Sequence, residues 1–239
     1  MSEWKARRFW KAAAVRQADG GFEVLLDGRP VRTPGKHALL LPARALADAI
    51  AQEWDAQDDV INPNSMPLTR AANSAIEKVT PKFAEVADML TAYGGTDLLC
   101  YRADAPEDLV RLQAEGWDPV IDWAATQLNA PLRITHGVIP VEQPSASLAR
   151  LRARVHALEP FGLTALHDLV TLPGSLLLGL AVIEGRLGAD EAFHLSRIDE
   201  RFQAARWGED NEAQQAAEYR RSAMLLAARF RELSRLYLT

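Results

Sequence analysis

Between Ala45 and Ile76 the chain reads ALADAIAQEWDAQDDVINPNSMPLTRAANSAI, and no other stretch limits the fold so tightly. Apolar residues at Ala43, Ala47, Ile50 and Trp54 recur at helical spacing, so one stripe of this segment faces a core. An acidic run follows Trp54, and Pro63 and Pro67 then interrupt any regular helix. The segment is therefore predicted to form a helix, turn through residues 60–68, and restart as a second helix near Pro67–Thr69. In this reading Trp54, Asp55, Pro63 and Pro67 make a structural joint that turns the chain from a strand-rich region into a helical one.

The region before the joint has strand character. RRFWKAAAV leads through the turn cluster QADGG into FEVLLDGRPVRTPGKHALLLP. Asp27-Gly28 between two apolar runs is a strong hairpin signal. Pro34-Gly35 marks a further turn before HALLL. About four short antiparallel strands in a meander are expected, and they need helices over one face. Pro42 opens the first helix, where proline is tolerated.

After the joint the pattern is almost wholly helical. The second helix is expected to reach Val79, with KFAEVADMLTAY as a further helix ended by Gly94-Gly95. TDLLCYR reads equally as a buried strand or an extended segment. Pro106 to Leu128 is predicted to be helical and kinked or split at Trp117, because Asp118-Pro119 repeats the grammar of a helix start. ITHGVIPVEQPS is a loop with short strand pairing. Further helices are expected at Ser147–Leu158, Leu163–Thr171, Ser175–Glu184, Asp190–Arg206 and Glu212–Tyr237. Two carry apolar stripes that the core should absorb: Leu195, Ile198, Phe202 and Ala205, and then Tyr219, Ala223, Leu226, Phe230, Leu233 and Tyr237. The class is α+β, with a small antiparallel β-rich domain at 1–42 and a larger helical domain at 43–239.

The 239 residues can bury a sizeable core, and a formal charge of -5 argues against nonspecific binding to nucleic acid or anionic membrane. The apolar run from Ser175 to Ile183 is far short of the roughly 20 residues that a membrane span needs, so no membrane insertion is expected. One cysteine, Cys100, excludes an internal disulfide framework and reads as a small buried side chain. The histidines at 37, 136, 156, 167 and 194 lack metal-ligand spacing, so no metal site is assigned. No phosphate-cradling glycine motif is present, no cofactor is expected, and LPGSLLLG lacks the frame of a nucleophile elbow. Ser175 reads as a helix cap. His167 and Asp168 are adjacent, and on a helix their side chains are expected to diverge. No catalytic residue is assigned.

Tryptophan is the unusual component. Trp10, Trp54, Trp117, Trp123 and Trp207 each stand beside charged residues, a pattern that suits the rim of a core or of an interface. Trp207 is the strongest candidate for a partner contact, because Arg206 precedes it, Gly208 ends its helix and an acidic turn follows. A small-molecule enzyme centred on His167, Asp168 and Ser175 is the competing reading, and a general protein-binding scaffold is a third.

Taken together, RRFWKAAAV and FEVLLDGRPVRTP, LPARALADAIAQEWDAQ, INPNSMPLTRAANSAI, DLLCYRADAPEDLVRLQAEGWDPVIDWA and LSRIDERFQAARWG resemble one family, the F-type ATP synthase assembly chaperones of the ATP-twelve type. The match spans roughly nine tenths of the chain. The resemblance implies a non-enzymatic protein that binds the unassembled alpha subunit of the catalytic head, covers its aggregation-prone surface and yields it to the beta subunit. It also implies a small β-rich domain before a larger helical one, and a protein monomeric when free. Within the last block it points to Arg206, Trp207, Gly208 and Glu212 as partner-binding residues. The stretch EDNEAQQAAEYRR after the WG pair departs from the more aromatic and acidic pattern of the family. The family occurs in mitochondria and related bacteria, and the absence of a long basic leader makes a bacterial cytoplasmic protein the expectation.

Overall fold

A computed structural model describes residues 7–137, 139–208 and 210–235. Strands β1 (Ala13–Ala18), β2 (Gly21–Leu26) and β3 (Arg29–Pro30) form an antiparallel sheet in the order β1-β2-β3. Asp27 and Gly28, both at positive φ (46° and 82°), close the β2–β3 hairpin as the sequence predicts. In place of a fourth strand, isolated bridges join Phe22 to Leu41 and Arg32 to Ala38. Helices α1 (Arg44–Asp55) and α2 (Pro67–Ser74) follow, and α1 begins two residues after Pro42. Alpha-helical bonding then widens into a π-type turn at Ala75–Val79.

The rest is helical apart from one parallel pair, β4 (Tyr101–Arg102) with β5 (Thr135–His136). TDLLCYR is thus a 3-10 turn at Leu98–Cys100 running into a two-residue strand. The helices are α3 (Phe83–Ala92), α4 (Glu107–Gln127), α5 (Ser145–His156), α6 (Pro160–Thr171), α7 (Leu176–Ile183), α8 (Ala189–Leu195), α9 (Ile198–Trp207) and α10 (Asn211–Ser234). The α+β class with segregated elements holds. Helix α4 runs unsplit through Trp117 and Pro119, which excludes the split that was one of the two forms expected there. The segment expected as one helix from Asp190 to Arg206 is two, broken at Ser196-Arg197. At the break the Leu195 carbonyl accepts the Trp117 indole N–H (2.8 Å), and Ser196 Oγ donates to Phe193 O (2.7 Å).

Two compact units are present, each taken over its described residues. One comprises Met1–Lys82, Pro160–Thr164 and Arg229–Thr239; the other comprises Phe83–Glu159 and Ala165–Ala228. Compactness therefore groups α1 and α2 with the strands, whereas the change of composition had put the boundary at residue 42. The physical reason is that the small sheet needs a covering layer. Leu46, Ala47 and Ile50 of α1 are buried together with Val24, Leu26 and Leu41 from the strand region.

In the second unit α7 is apolar on every side (LLLGLAVI) and almost wholly buried. Its N-terminus is capped twice. Leu178 N–H donates to Ser175 Oγ (3.1 Å), and Leu177 N–H donates to Asp97 Oδ2 (2.9 Å). Asp97 is 0% exposed and also accepts from Ser175 Oγ (2.7 Å) and Leu99 N–H (3.1 Å). Burial pushes its carboxyl up to about 6, against the lowering effect of these donors.

Candidate functional site

The joint and the Trp207 segment behave oppositely, and the joint comes first. Met66, the N-cap of α2, supplies no side-chain cap. Glu53 takes that role from α1: its carboxylate accepts Leu68 N–H (2.7 Å), Thr69 N–H (2.8 Å) and Thr69 Oγ1 (2.7 Å). A carboxylate there also opposes the positive end of the helix dipole. Gln57 is buried and spans the turn, accepting Asn62 N–H (2.7 Å) and donating to Glu53 O and Ser65 Oγ (both 3.0 Å). Pro63–Ser65 form a 3-10 turn whose cap is Asn62, and Pro67 is the first residue of α2.

Trp54 is half-buried, with its ring edge-on to Trp10 at 5.2 Å between centroids. Asp55 Oδ1 accepts Ala13 N–H (2.7 Å) from β1. Arg8 closes the assembly by donating to the carbonyls of Asp55 (2.8 Å), Gln57 (2.6 Å) and Trp10 (3.1 Å). The Glu53, Asp55 and Gln57 side chains of EWDAQ thus each have a local structural task, while Trp54 Nε1 is buried without a partner among the described residues, and the joint lies inside the first unit instead of leading out of it. Arg8, Gln57, Asp58, Asp59 and Val60 line an open hollow of about 720 Å³ beside it.

The other tryptophans divide. Trp117 is 1% exposed, with its N–H bonded to Leu195 O and the Arg102 guanidinium 5.2 Å from its ring centroid, so it is core. Trp10 is buried, and Trp123 is half-buried. Trp207 is 77% exposed at the last position of α9. Gly208, at φ +95°, ends that helix by donating its N–H to Ala204 O (2.9 Å) in a conformation that suits glycine. The Arg206 guanidinium stands 4.6 Å from the Phe202 ring centroid, which leaves the indole of the next residue uncovered. Asp210 Oδ1 accepts Glu212 N–H (2.9 Å) at the start of α10, and Glu212 occupies the first turn, where an acid is favoured.

Tyr219, expected inside, is 75% exposed. The buried face of α10 carries Met224, Ala227, Phe230 and Ser234, one residue round from the predicted stripe, of which only Phe230 is shared; Tyr237 lies outside the described residues. No residue of α9 is buried: Ile198 and Phe202 are half-covered and Ala205 is exposed. Residues 211–220 are exposed except Ala217, which is half-covered. The sequence thus singled out Trp207 but missed Tyr219, because an aromatic at helical spacing reads as core.

The chemistry-bearing residues do not converge. His167 Nδ1 and Asp168 Oδ1 lie 2.8 Å apart, so these neighbours do meet instead of diverging. Ser175, however, is buried and bonded to Asp97 and Leu178, not to His167. Burial pushes the Cys100 thiol up to about 12, which leaves it protonated and inert. Among the described residues no group of three His, Cys, Asp or Glu side chains could hold a metal ion, and no helix is long and apolar enough to cross a membrane.

Known proteins decide the family. The crystal structure of Atp12 from Paracoccus denitrificans is 67% identical, covers 98% of this chain and 100% of its own, and superposes with a TM-score of 0.96. This chain belongs to the ATP12 chaperone family. The family model described as ATP12 chaperone protein matches residues 7–125, which include the strand region and the joint. The Agrobacterium tumefaciens protein Atu1473 is 41% identical over 95% of this chain and 85% of its own, with a TM-score of 0.89. The mitochondrial protein atp12 of Schizosaccharomyces pombe is 26% identical over 214 residues, 84% of this chain and 74% of that protein. The likeness to the Paracoccus family member covers both units.

Proposed function

We propose that this protein is an assembly chaperone of the F-type ATP synthase that binds the unassembled alpha subunit, prevents its aggregation and yields it to the beta subunit. Membership of the ATP12 chaperone family, through 67% identity to Paracoccus Atp12 along the whole chain, is the observation that carries the role. A subunit destined for a ring exposes apolar interfaces before assembly, and such patches aggregate. A chaperone that must let go needs a moderate, partly polar contact, from which the true partner displaces it by mass action. The α9–α10 segment suits that contact: Trp207 and Tyr219 are exposed aromatics, and Arg206, Gly208 and Glu212 lie close to Trp207 along the chain. The protein acts without a cofactor, as a monomer, in the bacterial cytoplasm.

The test is suppression of aggregation of isolated alpha subunit at near-equimolar chaperone without nucleotide, with light scattering as the readout. Suppression followed by release on adding beta subunit is the expected result. Unchanged aggregation would sink the proposal.

A further inference from the structure

Helix α10 changes character along its length. Its residues 211–220 are exposed apart from half-covered Ala217, while Met224 and Ala227 further on are buried. Ala217, Arg221 and Met224 fall on one face at helical spacing, and Arg221 stands where burial gives way to solvent. The exposed stretch bears Glu212 and Tyr219, yet it has little apolar cover to hold it in place.

A charge pair stands at that point. Arg221 Nε donates to Asp190 Oδ1 of α8 at 2.6 Å, between residues 31 apart in the chain. Glu218, one turn earlier on α10, lies 3.3 Å from Arg221 Nη1, and His194, one turn later on α8, has Nε2 3.7 Å from Asp190 Oδ2. The hydrogen bond from Arg221 holds the Asp190 carboxyl below the usual carboxylate range. The two side chains are 35% and 47% exposed, a setting in which an ion pair adds little to overall stability. What such a pair does supply is a fixed point between two helices.

We propose that Arg221 and Asp190 are positioning residues for client capture, a clasp that fixes the exposed start of α10 on α8 and so holds Tyr219 and Glu212 in their binding arrangement. This rests on the reading of the alpha subunit as client and of the α9–α10 segment as its contact. A helix end free to swing presents its contact correctly only part of the time, and the apparent affinity falls by that fraction. The loss appears in binding and not in the melt, because the exposed stretch opens locally at little cost to the rest. Arginine suits the task, since its fork reaches Asp190 through Nε and Glu218 through Nη1 at once.

Arg221→Gln and Asp190→Asn, singly and together, are the test. Each single change should weaken capture of isolated alpha subunit about fivefold, with the melting temperature within a few degrees of wild type. The double variant should bind no worse than either single one, because each change already opens the clasp. Amide exchange supplies a readout without the client: residues 212–220 should exchange faster in each variant, while residues 224–230 keep wild-type protection. Losses that add in the double variant, with exchange unchanged, would make the two residues direct client contacts and overturn the clasp. A large fall in melting temperature would assign the pair to the fold and overturn it as well. Wild-type binding by all three variants would refute the clasp and leave alpha binding standing. If wild type itself captures no alpha subunit, the client assignment falls, and this role with it.

Discussion

The joint at Glu53–Thr69 and the tip at Ile198–Tyr219 are both rich in charge and both carry a tryptophan, yet their polar groups are used in opposite ways. At the joint Glu53, Asp55, Gln57 and Asn62 are bound to backbone groups of neighbouring elements, and Trp54 lies against Trp10. At the tip Trp207 stands in solvent on α9, which has no buried residue, and Tyr219 on the exposed first stretch of α10. The lesson is that a dense run of distinctive residues marks architecture when its carboxylates and amides are tied to neighbouring backbone groups. A sparse pair of exposed aromatics marks a surface free to meet another molecule.

The harshest way to break this contrast is Trp54→Arg. Trp54 is half-buried, so an arginine there loses the edge-on packing on Trp10 and is partly desolvated, at a cost of roughly 2–3 kcal/mol. The variant should melt well below wild type in calorimetry. If it melts like wild type yet loses its client, Trp54 belongs to the interface and the division between joint and tip is wrong.

An effect of similar size concerns buried acids against exposed ones. Asp97 titrates near 6 in the folded protein against an ordinary value of 3.8. Its folded pKa is raised, so its contribution to stability is fully present below pH 3.8 and is lost as pH rises through about 6. The loss is on the order of 3 kcal/mol. Asp27, Glu77, Asp88 and Asp190, none of them buried, are held below the usual carboxylate range mainly by hydrogen bonds from backbone N–H groups or side chains and tilt the other way. The informative measurement is therefore the difference between wild type and Asp97→Asn in denaturant melts from pH 4 to 7. The gap should narrow as pH rises. A constant gap would show that Asp97 does not titrate in this window.

Glu53→Ala sharpens the joint alone. It removes three hydrogen bonds at the start of α2 and should cost about 2 kcal/mol, read as a shift of the urea midpoint with an unchanged slope. A loss within error would mean that Pro63 and Pro67 suffice to set the turn, without the acid.

How much of this was legible in the chain follows from where each constraint resides. The Asp27-Gly28 hairpin, the Ser175 cap and the restart at Pro67 are local, dictated by glycine, hydroxyl and proline chemistry within a few residues. The capping of α2 by Glu53 was not legible, because its partners lie 15 and 16 residues away. The break after Leu195 was hidden for the same reason, since the indole that takes its carbonyl is 78 residues earlier. On α10 the periodicity placed the buried face one residue off, and spacing alone could not tell that residues 211–220 have little to pack against. The candidate site was thus half legible. A glycine after Trp207 signals a helix end, but only the fold shows that this end reaches solvent.

The smallest expected effect on stability comes from the tip, and it tests the contrast from the other side. Trp207 is 77% exposed, so Trp207→Ala removes little buried surface and should leave the melting temperature within a few degrees. The same change should weaken capture of isolated alpha subunit by about 30-fold, the scale of an aromatic hot spot, and Glu212→Ala should weaken it less. Titration calorimetry with the alpha subunit, alongside thermal melts, separates the two quantities. Binding equal to wild type would leave the indole without a role at the surface. A large fall in melting temperature would instead place Trp207 in the core, where its exposure says it does not belong.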